Sequence, residues 1–177
     1  MRNLHLLLSI LSFIFFACNS QPSRHEEIDD PAYTNLESTS MKHTKMKGFA
    51  INIEKGALAN GNYRKVVYTG HYMQLVLMSI KPGEEIGEEI HLKSDQFFRF
   101  ESETGKCIVN GINYDVKAGD VVIAPSGSKH NVINTDSNLD LKLYTIYAMP
   151  NHKDGIVRTT KDEATKHEAK FDGLTTE

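Results

Sequence analysis

An excess of positive charge is what this sequence lacks. Its 177 residues hold 20 lysines and arginines against 23 aspartates and glutamates, for a formal net charge of -3. No basic footprint of the kind that grips a phosphate backbone is present, which argues against a nucleic-acid partner. Long apolar runs are also missing. The stretch from Leu4 to Phe16 is interrupted by His5, Ser9 and Ser12 and is too short to span a bilayer stably. Cysteine is scarce, with Cys18 and Cys107 the two in the chain. The hydrophobic share, 40%, supports one proper core once the polar first third is discounted.

The N-terminus has the architecture of a targeting segment, with Met1-Arg2 as a short positive start to the apolar run. That run ends in Phe15-Phe16-Ala17-Cys18, which resembles a bacterial lipobox. The resemblance implies a signal peptide over residues 1–17 and a mature chain whose first residue, Cys18, is the lipid anchor. The other reading is an ordinary secretory signal cut at a small residue, with Cys18 incidental. Asn19 follows the cysteine where an Asp commonly retains lipoproteins at the inner membrane. The expected location is therefore the cell envelope, at the outer membrane and facing the periplasm. With Cys18 lipidated, Cys107 has no partner for an intramolecular disulfide, and packing alone must hold the core. Cys107 lies in the strand-like run Gly105–Val109 and reads as a small buried apolar residue rather than a nucleophile.

Residues 18–45 are polar, carry Pro22 and Pro31, and follow neither helical nor strand periodicity, as a flexible tether would. From Phe49 the texture becomes short β-rich runs: Phe49–Ile53, Arg64–Thr69, Tyr72–Ile80, Gln96–Glu101, Lys106–Asn110, Ile112–Val116, Asp120–Ala124, Asn131–Ile133 and Leu139–Ala148. Turn residues separate them, and Asn110-Gly111 is the strongest hairpin signal. Many short, evenly spaced strands over residues 46–150 predict an all-β domain, an antiparallel sandwich or barrel. In the extension 151–177, Thr160-x-x-Glu163 predicts the start of a short, peripheral helix running to about Lys170.

Chemistry-bearing residues concentrate in two segments. Glu89 and His91 are two apart, so a strand there would direct both to one face. Alternation then places Gln96, Phe98 and Phe100 on one face and Asp95, Arg99 and Glu101 on the other. The aromatic face belongs in the core, which selects Gln96 over Asp95 as a further site residue. His130 follows the turn Pro125-Ser126-Gly127. Among the other histidines, His71, His152 and His167 read as surface residues.

Gly119, Pro125, Gly127, His130 and Asn134 reproduce G-x5-P-x-G-x2-H-x3-N, and Gly83 to Gln96 resembles G-x5-H-x-H-x4-E with Glu89 for the first His and Gln96 for the Glu. These are the two motifs of the cupin family. From Leu75 to about Pro150 the chain resembles small single-domain bacterial cupins with a Glu-x-His and Asp-Gln-Phe-Phe pattern. Glu103 departs from the resemblance, standing where the first motif usually closes with Gly. The resemblance implies a jelly-roll β-barrel and one divalent metal ion held by Glu89, His91, Gln96 and His130. The negative charge of the usual three-His, one-Glu set has then changed position without being lost.

Glu89, His91 and His130 form a two-His, one-carboxylate set, a composition suited to Fe(II) with open positions. Gln96 adds a weak neutral carbonyl. Fe, Mn, Ni and Zn are not distinguished by these residues. Phe98, Phe100 and Tyr147 are expected to line the pocket. The implied partner is a small-molecule ligand or substrate, and a homodimer is compatible with the family. Cupins include oxygenases, isomerases and non-catalytic sugar- or metabolite-binding modules, so an enzyme and a binding module both stand as expectations.

Overall fold

The computed structural model describes residues 46–177; the expected signal peptide, Cys18 and the expected tether lie outside the described residues. The described chain runs α1 (Ile53–Ala59), β1 (Arg64–Thr69), β2 (Met73–Ile80), β3 (Glu89–Ile90), β4 (Asp95–Phe100), β5 (Thr104–Val109), β6 (Ile112–Lys117), β7 (Val121–Ala124), β8 (Lys129–Asn134), β9 (Leu141–Ala148), β10 (Val157–Arg158) and α2 (Lys161–Lys166). Ten strands form two antiparallel sheets, one ordered β10-β1-β2-β9-β4-β7 and the other β3-β8-β5-β6. This is an all-β jelly roll, as the resemblance implies.

The strands alternate as half-buried strands must. In β4 Gln96, Phe98 and Phe100 are buried while Asp95 is exposed. In β9 Leu141, Leu143, Thr145 and Tyr147 are buried. Leu139, where the sequence run is expected to begin, is exposed and lies before the strand. The inward residues pack into one apolar core that includes Val76, Met78, Phe98, Phe100, Cys107, Val132, Leu143 and Tyr147.

Local chemistry fixes the connections. Asn110 and Gly111 both have positive φ, 48° and 80°, as a tight turn between β5 and β6 requires, and Val109 pairs directly with Ile112. Gly105 is needed for close packing: a Cβ there would come within 2.8 Å of Leu141 Cδ2 and 2.9 Å of the Ile133 carbonyl oxygen. Glu103 keeps a left-handed backbone, φ 57°, at the position where the resemblance has glycine.

Two elements differ from the sequence expectation. Phe49–Ile53 is not a strand; its last residue opens α1. The deciding group is Asn52, whose side chain accepts a hydrogen bond from the Lys55 N–H at 2.9 Å and caps the helix. The second helix is N-capped by Thr160, which accepts from the Glu163 N–H, but it ends at Lys166 rather than near Lys170. The chain beyond turns extended because its backbone is claimed elsewhere: Lys153 N–H donates to Ala169 O, and Phe171 N–H to Asn151 O.

Candidate metal centre

Glu89 and His130 are directly opposed residues of neighbouring antiparallel strands, β3 and β8, so their side chains leave the sheet side by side. His91 follows β3. Its carbonyl accepts from the N–H of Gly127, whose φ of 79° sharpens the turn that leads into β8. The same turn explains why Asp95 faces outward: its carboxylate accepts from the Ser126 N–H at 2.7 Å. Gln96, on the opposite sheet, is fully buried and points inward.

These placements bring one ligand atom each from Glu89, His91 and His130 within 4.8 Å of one another. The two imidazole rings lie 5.3 Å apart between centroids. Gln96 Oε1 is 2.9 Å from His130 Nε2, and its amide nitrogen donates to Thr145 Oγ1 at 3.0 Å. Tyr147 meets His91 edge-on at 5.3 Å, and Phe98 meets His130 edge-on at 5.8 Å. Phe100 sits a pleat further along, opposite Leu143 in the core. A groove of about 670 Å³ opens on His91 and is lined also by Leu92, Lys93, Asn151 and Phe171.

The donor set fits a divalent cation on two counts. His91 Nε2 is buried and has no well-formed hydrogen bond among the described residues; Glu89 Oε2 lies 3.3 Å away. At His130, Nδ1 faces the Ser128 carbonyl at 3.1 Å while Nε2 faces the Gln96 carbonyl oxygen. A neutral imidazole has one N–H. With Nδ1–H donated to Ser128, the Nε2 lone pair and the Gln96 oxygen confront each other, an arrangement that a cation beside both relieves. In its absence the Gln96 amide has to turn round. Burial, with the nearby His91, holds His130 below the usual histidine range against the pull of Ser128 and Glu89, so the neutral, ligating form is favoured.

Arg64, Gln74 and His152 were not foreseen from the sequence. Burial pushes the Glu89 carboxyl up, but His91, the Arg64 guanidinium and His130 together outweigh it and hold the carboxyl below its ordinary range. The Arg64 guanidinium lies 3.8 Å from Glu89 Oε1, so the carboxylate has a cationic neighbour built into the protein. Desolvation of Glu89 therefore does not by itself demand a metal. His152 is buried, not on the surface. Its Nε2 is hydrogen-bonded to Tyr147 Oη at 3.2 Å, and Gln74 holds its backbone through the His152 N–H and carbonyl. No local pattern marks His152, because its burial comes from a segment far along the chain folding back over β2.

Residues 76–147 match the Cupin domain family model. The chain is 42% identical over 130 residues to YrkC of Bacillus subtilis, covering 69% of this chain and 68% of that protein. A protein of Acanthamoeba polyphaga mimivirus is 37% identical over 120 residues, 66% of this chain and 74% of its own length. The crystal structure of BH2720 from Bacillus halodurans superposes with a TM-score of 0.66 at 38% identity, over 71% of this chain and 98% of that one. Fold and site define a small β-barrel with two histidines and a carboxylate at its centre. The chain belongs to the cupin family.

Proposed function

We propose that this protein is a metal-dependent cupin of the bacterial cell envelope, anchored by lipid at Cys18, that acts on a small molecule at one barrel-centred divalent ion. The observation that carries the metal reading is the buried, unpartnered His91 Nε2 converging with Glu89 and His130. Glu89, His91 and His130 would hold the ion, with Gln96 as the weakest member of the set. A bound divalent ion supplies Lewis acidity and an open position for a substrate oxygen, the requirement shared by oxygenase and isomerase chemistry.

The chain's own residues prepare that centre. The Ser128 carbonyl orients the His130 ring and fixes its tautomer. Thr145 holds the Gln96 amide, and the Phe98 and Tyr147 rings wall the histidines from bulk water. The groove at His91 gives a small molecule its approach. The envelope location rests on the leader and on Phe15-Phe16-Ala17-Cys18.

The second reading, a non-catalytic module for a sugar or metabolite, is favoured by the Arg64–Glu89 contact, which provides the carboxylate with a counter-charge in the absence of metal. Elemental analysis separates the two. The full chain, purified without affinity histidines or chelator, is expected to carry about one divalent ion, lost in His91→Ala. A protein that stays empty after exposure to Fe, Mn, Ni and Zn supports the binding module instead.

A further inference from the structure

Arg64 is a nearly buried cation without a bonded partner beside the triad. Its side chain is 7% exposed, Nε is sealed from solvent with no hydrogen-bond partner, and the guanidinium makes no hydrogen bond among the described residues. Glu89 Oε1, at 3.8 Å from Nη2, lies beyond hydrogen-bonding distance, and the Tyr63 ring, 5.7 Å from the guanidinium carbon, offers only its face. A cation this enclosed, with Nε sealed and no bonded acceptor among the described residues, is costly to bury. Were Arg64 present only to hold Glu89, the pair would close to a bonded distance.

We propose that Arg64 is the receptor for a substrate carboxylate, so that the barrel takes small carboxylate-bearing molecules. The inference deepens the small-molecule reading of this site and rests on it. A planar guanidinium fork matches a planar carboxylate in two parallel N–H to O bonds. The Glu89 carboxylate presents one oxygen toward Arg64 and the other toward His91, so a ligand held by Arg64 lies beside the triad. The charge balance points the same way: a divalent ion, one guanidinium and one carboxylate would leave two positive charges uncompensated, which a carboxylate ligand reduces and an alcohol or amide does not. Lys93 and Lys170 stand at the rim of the groove where His91 surfaces, Lys170 ion-paired with Glu168, and add a weak steering field.

The experiment titrates the full chain calorimetrically with acetate and propionate and, as neutral isosteres, acetamide and propionamide, with metal content measured on the same samples. The carboxylates are expected to bind and the amides not, and Arg64→Gln to weaken carboxylate binding roughly tenfold or more, as loss of one partner of a buried charge pair does. Arg64→Lys, which keeps the charge but not the fork, is expected to recover only part of it. Because Arg64 variants risk misfolding, Glu89→Gln stripped of metal serves as a second probe. It removes the carboxylate that competes for the guanidinium and is expected to bind acetate more tightly than metal-free wild type. Amides binding as well as carboxylates, Arg64→Gln binding like wild type, or no gain in Glu89→Gln each overturn the inference. Carboxylate binding that depends on Arg64 in a protein that takes up none of Fe, Mn, Ni or Zn when they are supplied sinks the metal reading alone, whereas a metal-loaded protein indifferent to carboxylates sinks this inference alone.

Discussion

The side-chain oxygen of Gln96 and the Nε2 atom of His130 lie 2.9 Å apart, joining strands from the two different sheets at the centre of the barrel. The contact places the Gln96 oxygen and the His130 lone pair in the same small space, where the proposed ion would meet both. The Gln96 amide lacks the charge of a carboxylate and the basicity of an imidazole. Gln96→Ala is expected to weaken metal binding about 10- to 100-fold, the range for residues that orient a ligand, while His91→Ala and His130→Ala abolish it. Competition against a chromogenic chelator reads the difference. Equal losses in Gln96→Ala and His130→Ala would contradict the ranking.

Glu103 and Gly105 invert the usual placement of glycine, and each half of the inversion is testable. Glu103 adopts φ 57° with a side chain, so Glu103→Gly is expected to stabilise the fold by about 0.5–1 kcal/mol, relief of the left-handed strain outweighing the entropy of a freer unfolded chain. Gly105→Ala is expected to destabilise by roughly 1–3 kcal/mol, because its Cβ meets the Ile133 carbonyl oxygen, which is backbone and cannot step aside. Urea unfolding of the two variants should move the midpoint in opposite directions.

His152 gives the fold an acid sensitivity. Burial, with the charges of Arg64 and Lys170 and the nearby His91, lowers it from 6.5 to about 2, so the folded ring stays neutral where the unfolded ring takes up a proton. The unfolded state then binds more protons between those values, and stability falls as pH drops below 6.5, by up to about 1.4 kcal/mol per pH unit. Metal-free protein should lose urea resistance from pH 7 to pH 5, and His152→Gln should flatten that slope. An unchanged slope would place the acid sensitivity elsewhere.

Cys18→Ala is expected to leave the protein in the soluble fraction with an unprocessed leader, while wild type partitions with membranes, since the several acyl chains of a mature lipoprotein hold where one does not. Fractionation with detergent extraction decides it; wild type recovered wholly soluble would refute the anchor.

Much of the fold was legible because β-strands write their faces at period two. The alternation of Gln96, Phe98 and Phe100 with Asp95 and Arg99 is a local property of six residues, and the structure buries the first three and exposes Asp95. Phe49–Ile53 misled because its apolar residues suit a strand, and one capping atom of Asn52 decided for a helix. Arg64 and His152 were illegible for a different reason. Arg64 reaches Glu89 across the gap between two sheets, and His152 owes its burial to the register of a late segment against Gln74. Neither relation leaves a periodic mark, since long-range contacts are set by topology and not by neighbours in sequence.

Cys107 is fully buried on β5, paired with Tyr114 on one side and Val132 on the other, and burial pushes its thiol up to about 12. A thiol reagent at neutral pH finds almost no thiolate there until β5 parts from β6 or β8. The rate at which Cys107 is alkylated is therefore a clock for the opening of the barrel wall. Two residues along β5, Val109 pairs with His130, so that clock runs slower whenever the centre is occupied, and occupancy can be followed in the unmodified protein without a chromophore or an assay for turnover.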